Sequence, residues 1–221
     1  MSASVDLSGH FLMAMPGMVD GDLAGTVIYV CEHSDRGALG LVINRPIDLS
    51  LASLLEKADL VADVPTGEEV DAGLESVEDL ARQPQEKPAQ QAGLGSSRAS
   101  AEDLPVYFGG PVQTDRGFVL HKPAGDYSSS ISLGQTLALT TSRDVLQAVA
   151  NGQGPEKIFV TLGYAGWGAG QLEQELAQNA WLSVAADESI IFEMPPESRY
   201  PAAMRLLGVD PAQLAGSAGH A

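Results

Sequence analysis

The chain has 221 residues, 44% of them apolar, and it sets 29 Asp and Glu against 12 Lys and Arg for a formal charge of −17. That apolar fraction suffices for a buried core and excludes disordered, collagen-like and coiled-coil classes, and with Cys31 as the single cysteine no intrachain disulfide can form. The negative charge repels phosphate backbones and the basic residues are scattered, which argues against direct nucleic-acid binding.

Met1 to Gly9 carry no positively charged start, and the apolar run His10 to Met15 is far shorter than the ~18 residues of a spanning helix. The expectation is a protein without secretion signal or membrane anchor, in a cytosol that keeps its lone thiol reduced. His10 to Met15 reads as a strand ended by Pro16-Gly17, and Gly25 to Cys31 as a strand buried on both faces. Turn residues Ser34 to Gly37 lead into Ala38 to Ile43, which predicts a hairpin with a longer loop, stopped at Asn44-Arg45-Pro46. Leu51, Leu54, Leu55 and Ala58 recur at helical spacing over Leu49 to Leu60, with Asp48 or Ser50 placed as cap. From Asp63 to Asp103 the chain turns acidic and rich in Pro, Gly, Gln and Ser, without an aromatic residue. The stripe Val70, Leu74 and Val77 is too short to offset the ordering entropy of ~40 residues, so an unfolded acidic insertion is expected, either a solubilising linker or a contact for a basic partner.

Val106 to Phe108 and Gly117 to His121 read as strands joined through Gly109-Gly110-Pro111, and Ile131 to Leu139 as a further β stretch. Arg143 to Asn151 reads as a helix capped by Thr141 or Ser142, with Val145, Leu146 and Val149 on its apolar face. Lys157 to Leu162 is a core strand feeding the glycine-rich run Gly163 to Gly170, and Gln171 to Asn179 is helical with Leu172 and Leu176 inward. Ser189 to Phe192 reads as the last strand, Glu197 to Leu207 as the last long helix, and Asp210-Pro211 as the start of a terminal helical turn. Hairpins interrupt the strict alternation of a doubly wound protein, so the fold class is α+β, one domain over 1–221 interrupted by the 63–103 insertion.

Five strings occur in order: Phe11-Leu-Met-Ala-Met-Pro-Gly-Met18, Tyr29-Val-Cys-Glu-His33, Gly37-Ala-Leu-Gly-Leu-Val-Ile-Asn44, Phe108-Gly-Gly-Pro-Val112 and Leu162-Gly-Tyr-Ala-Gly-Trp-Gly-Ala-Gly-Gln171, with Gly219-His-Ala221 at the end. Together they resemble the YqgE/AlgH family of bacterial proteins over nearly the whole chain except the acidic segment, which is longer here than the family usually carries. The resemblance implies a single α+β domain whose mixed, bifurcated sheet curls into a pseudo-barrel with helices packed outside, in a cytosolic bacterial protein. It implies no established activity. The regulator label of some members comes from a link to alginate production, and this chain carries no helix-turn-helix signature.

Cys31-Glu32-His33 is the sharpest reactive cluster. Residues two apart on a regular strand share a face, so Cys31 and His33 meet if the strand continues, and a neighbouring imidazolium favours the thiolate. The plainer reading makes Cys31 a small buried hydrophobe beside Val27 and Tyr29, with His33 at a solvated strand end. His121 is the other candidate base. A zinc site would need His121 or carboxylates brought in by the fold, because Cys31 and His33 supply only two ligands, and no metal or cofactor is expected. The run Gly163 to Gly170 stands where phosphate loops stand, but it lacks Lys and Arg, matches neither glycine motif, and is followed by Glu173 and Glu175. It reads as a tight turn that lays Trp167 across neighbouring backbone, with Trp167, Tyr164 and Gln171 as a candidate ligand-binding set. Gly109 and Gly110 either offer amides to an oxyanion or merely turn the chain, Asn44 either caps a turn or reaches a ligand, and Arg45 and Arg116 either hold an acidic group or are solvated surface.

Two functional classes follow. One is a non-enzymatic cytosolic binding or regulatory protein that contacts another protein or a small molecule, away from membranes. The other is a small enzyme using Cys31 with His33 or His121. A transcription factor acting on DNA directly would need a basic face that the composition lacks.

Overall fold

The computed structural model describes residues 6–15, 21–57 and 104–208. The expected acidic insertion, the end of the helix expected over Leu49 to Leu60 and the terminal turn at Asp210-Pro211 lie outside the described residues. In chain order the elements are β1 (His10–Ala14), β2 (Val27–Ser34), β3 (Gly37–Val42), β4 (Pro46–Ser50), α1 (Leu51–Lys57), β5 (Pro105–Phe108), β6 (Val112–Lys122), β7 (Ser130–Leu133), β8 (Leu137–Thr140), α2 (Arg143–Ala150), β9 (Lys157–Gly168), α3 (Gln171–Ala177), β10 (Trp181–Ala185), α4 (Glu188–Phe192) and α5 (Pro196–Leu206). The main sheet runs β10-β1-β2-β3-β9-β6-β8-β7, with β5 joined to both β4 and β9.

The sheet forks at β9. Along one edge of this strand Val160 to Leu162 pair in parallel with β5, while Ala165 to Gly168 pair antiparallel with β3; the opposite edge pairs with β6. At the branch the Gly109 amide donates to the Leu162 carbonyl (2.8 Å), and the Gly109 carbonyl accepts from the Val42 amide (2.9 Å), so one residue ties both prongs together. Backbone crosses backbone there with no room for a side chain. A Cβ on Gly109 would stand 2.1 Å from the Gly163 carbonyl oxygen, and one on Gly163 would stand 2.4 Å from that of Gly110. Gly163 also has φ +75°, a left-handed conformation that costs other residues ~1–2 kcal/mol.

Curling gives the sheet an inner and an outer face. The inner cluster gathers Phe11, Tyr29, Cys31, Leu41, Phe118, Leu120, Leu139 and Phe159 from strands across the sheet, and α4 and α5 add Ile190, Ile191, Ala203 and Met204. On the outer face, Leu172 of α3 packs with Ile28, Val30, Ala165, Trp167 and Trp181. Leu51 and Leu55 of α1 join Val145, Leu146 and Val149 of α2 over Val106, Val119 and Val160. This is the mixed α+β architecture expected from the sequence, a curled half-barrel sheet with helices packed against it.

Five local expectations are corrected. Ser189 to Phe192 is helix, not strand: the Asp187 side chain accepts from the Ser189 amide and hydroxyl, and this capped turn aims Ile190 and Ile191 into the inner cluster. Two strands are missing from the sequence reading: β10, where Trp181 to Ala185 pair with β1, and β4, where Pro46 to Ser50 pair with β5 in place of the expected stop and the first residues of the expected helix. Ile131 to Leu139 is two strands, β7 and β8, turning at Gly134 with φ +70°. The glycine-rich run is not a loop, because β9 continues through Gly168 before the turn into α3.

Ser142 occupies the N-cap of α2, but its hydroxyl makes no capping bond and donates to Asp144 instead (2.5 Å). The Asp144 carboxylate also accepts from the Ser128 amide and hydroxyl and from the Val145 amide. Desolvation pushes Asp144 upward, but these hydrogen bonds together outweigh it and hold the carboxyl down at about 2.

Two predictions follow from these constraints. Gly163→Ala should lower the unfolding free energy by about 3 kcal/mol or more in urea melts, combining left-handed strain with overpacking. Gly170→Ala, with φ +73° but open space where its Cβ would lie, should cost only about 1 kcal/mol. For Asp144 the folded-state pKa is depressed, so its stabilisation is complete above the unfolded value of about 4 and is lost as pH falls through about 2. The stability gap between wild type and Asp144→Ala, measured by denaturant melts, should therefore shrink as pH drops from about 4 towards 2.

Candidate functional site

The geometry around Cys31 turns on one extra residue. Val30 of β2 opposes Gly40 of β3 and Glu32 opposes Leu39, which leaves Cys31 as a bulge without a register partner. A bulge reverses the in–out alternation of the strand beyond it. Val27, Tyr29 and Cys31 therefore face the inner cluster, whereas His33 emerges on the outer side against Leu7 and α3. The expectation that Cys31 and His33 share a face is overturned.

Each candidate reactive group has its own surroundings. The Cys31 thiol is buried and donates to the Tyr29 carbonyl at 3.8 Å; burial, reinforced by the neighbouring Glu32 charge, pushes the thiol up, away from thiolate. His33 is buried rather than solvated. Its Nδ1 accepts from the Leu7 amide (3.2 Å), so the proton sits on Nε2 and is donated to Glu173 at 3.1 Å. His121 is enclosed on the other outer patch, with Nδ1 donating to the Pro123 carbonyl (3.0 Å), Nε2 accepting from the Thr140 hydroxyl (2.8 Å), and its ring edge-on to Tyr127. Burial lowers its pKa, so His121 is a neutral imidazole at neutral pH. Cys31, His33 and His121 do not form one site.

The candidate ligand-binding residues separate in the same way. Asn44 spends its side chain on backbone, accepting from the Val27 amide (2.9 Å) and donating to the Gly25 carbonyl (3.1 Å). Gly109 and Gly110 sit at the sheet fork, where the Gly109 amide is already bonded. Arg45 clamps the Asp22 and Ala24 carbonyls, and Arg116 donates to the Thr141 hydroxyl beside the Phe118 ring. Tyr164 and Trp167 do share a cleft of about 540 Å³ with Glu32, Arg36 and Leu39, but Gln171 does not line it.

Gln171 belongs to a network centred on Glu175. The indole N–H groups of Trp167 and Trp181 both donate to Glu175 Oε2, at 2.9 and 2.7 Å, their rings edge-on with centroids 5.9 Å apart. Gln171 donates to the other carboxylate oxygen (3.0 Å) and accepts from the Gly168 amide (3.0 Å). A buried indole needs an acceptor, and that requirement was the only sequence signal for this cluster. Arg199 left no such signal. It is 4% exposed, donates to the Met194 and Ile43 carbonyls, and stacks its guanidinium over Tyr107 and Phe159.

A second cavity, of about 500 Å³, opens on the inner side between β2 and the β7–β8 hairpin. Its lining includes Tyr29, Cys31, Ile131, Leu133, Leu137 and Glu188. Among the described residues no three His, Cys, Asp or Glu side chains stand close enough to share a metal ion, and no helix is long and apolar enough to cross a membrane.

Trp167→Ala should cost about 3–5 kcal/mol in chemical denaturation, since the ring is 6% exposed and its loss also removes one of the three donors to Glu175.

Comparison with known proteins covers nearly the whole chain. A family profile described as AlgH-like matches residues 11–212. A UPF0301 protein of Bordetella avium is 64% identical over 98% of this chain and 92% of its own length, and one of Cupriavidus metallidurans is 51% identical over 99% and 97%. The solution structure of the AlgH protein from Pseudomonas aeruginosa superposes with a TM-score of 0.68 at 45% identity, over 100% of this chain and 99% of that one. Protein DIP2367 from Corynebacterium diphtheriae shares the fold at a TM-score of 0.59 and 18% identity, covering 93% and 89%. With the forked half-barrel and these relatives in agreement, the chain belongs to the AlgH-like family.

Proposed function

We propose that this chain is a non-enzymatic binding protein of the cytosol, acting through a small molecule or a protein partner that it holds rather than transforms. The observation that carries this reading is the bulge at Cys31, which sends the thiol inward and His33 outward. A cysteine nucleophile needs a base within hydrogen-bond reach and a thiolate favoured by its surroundings. Here the thiol's hydrogen-bond partner is a backbone carbonyl, its pKa is pushed up by burial, and both imidazoles are engaged on the opposite face of the sheet.

Binding is further supported by the two concavities described above, each in the size range of small-ligand clefts, one bordered by Tyr164 and Trp167 and the other by Tyr29. A regulatory role is one use of such binding. The net charge of −17 favours a partner other than duplex nucleic acid.

The test is the pH dependence of Cys31 alkylation in the folded protein, with urea-unfolded protein as reference. The raised thiol pKa predicts that folded Cys31 reacts at least about tenfold more slowly than unfolded Cys31 at pH 8 and gains no rate below neutral pH. Rapid alkylation near pH 6, titrating well below the ordinary thiol value of ~8.5, would restore the enzyme reading instead.

A further inference from the structure

The cavity beside Cys31 contains a donor that the protein leaves unused. Tyr29 is 4% exposed, and its hydroxyl meets no hydrogen-bond partner among the described residues. Among the described residues every side-chain nitrogen or oxygen fully sealed from solvent is satisfied, so the Tyr29 oxygen must keep an open approach, and the cavity that it lines supplies one. A phenol this enclosed normally finds an acceptor within the protein, and the cavity is the side from which one can still reach Tyr29. Burial, together with the nearby Cys31 and Glu188, pushes the Tyr29 phenol up, so at neutral pH it keeps its proton and is able to donate it.

The rest of the lining narrows what acceptor fits. Ile131, Leu133 and Leu137 supply apolar walls beside the neutral polar Ser132, Gln135 and Thr136, and Ile131, on edge strand β7, is 48% exposed, one of two large apolar side chains so exposed among the described residues. The charged residues of the lining are Glu32 and Glu188, both acids, with no lysine or arginine to meet an anion. Glu188 is already paired with Lys122 at 2.7 Å, so it asks for no cation from a ligand. A volume of about 500 Å³ accommodates a small ring or short chain.

We propose that this cavity binds a small, uncharged molecule with an apolar body and a carbonyl oxygen, with the Tyr29 hydroxyl donating to that oxygen and Ile131, Leu133 and Leu137 covering the apolar body. The proposal rests on the binding reading above and gives it a site and a ligand class.

The test uses three compounds of one shape on the full-length protein: benzamide (neutral, with a carbonyl), benzoate (anionic) and toluene (no acceptor), each titrated at pH 7 and followed by amide chemical shifts. Benzamide should give saturable shifts around Tyr29, Cys31 and Ile131, and benzoate should bind at least about tenfold more weakly. Tyr29→Phe removes only an oxygen without a protein partner, so its thermal melt should match wild type. It should weaken benzamide about fivefold to tenfold, the worth of one hydrogen bond, and leave toluene unchanged. Unchanged benzamide affinity in Tyr29→Phe, benzoate binding as tightly as benzamide, or no saturable shift at these residues would each overturn the assignment. Saturable binding with an unaffected Tyr29→Phe variant rejects the ligand class while the binding reading stands; an activated Cys31 thiolate in the alkylation experiment rejects that reading itself.

Discussion

Where β3, β5 and β9 meet, three stretches of backbone pass within hydrogen-bonding distance and leave room for nothing larger than hydrogen on the crossing residues. Gly109 bridges the prongs through its amide and carbonyl, and Gly163 turns left-handed beneath it. The rest of the sheet depends on this contact. It lets β9 serve two neighbours on one edge, so that the sheet divides and curls instead of extending flat. The curl then creates an inner face wide enough for α4 and α5 and an outer face split between α3 on one side and α1 with α2 on the other. Side chains at those glycines would force the backbones apart and remove the ladder bonds that hold the branch.

A second irregularity, the bulge in β2, decides the chemistry. One unpaired residue at Cys31 reverses alternation for the remainder of the strand. The same few residues that look in sequence like a nucleophile and its base are thereby divided between two cores. Cys31 becomes part of the inner cluster beside Tyr29, and His33 becomes a link between Leu7 and Glu173 that fastens the segment before β1 and α3 to the outer face.

Buried polar groups complete the assembly by satisfying one another. Glu175 gathers two indoles and an amide into one carboxylate and so pins α3 to β9 and β10. Arg199 carries a charge into the inner cluster on two carbonyls and two aromatic faces, joining α5 to the β3 end and to the fork strands. Against this pattern the Tyr29 hydroxyl is open to a cavity and has no acceptor among the described residues.

Sequence by itself determined the class and most of the elements. Apolar spacing located α2, α3 and α5, β-branched runs located β2, β3 and the start of β9, and the order of the glycine motifs carried the family resemblance. Those signals are local, set by side-chain period and backbone preference within a few residues. Ser189 to Phe192 was misread because two adjacent isoleucines look alike in a buried strand and a capped helical turn, and only packing under α5 separates them. Glycine's freedom makes the run Gly163 to Gly170 look like a tight turn, whereas β9 continues through Gly168 and Gly163 is required by the close passage of backbone distant in sequence. Tertiary structure alone decided the site. A one-residue bulge leaves no mark in composition or spacing, yet it determines whether Cys31 and His33 meet, and whether Tyr29 finds a partner depends on which surfaces the curled sheet brings opposite it.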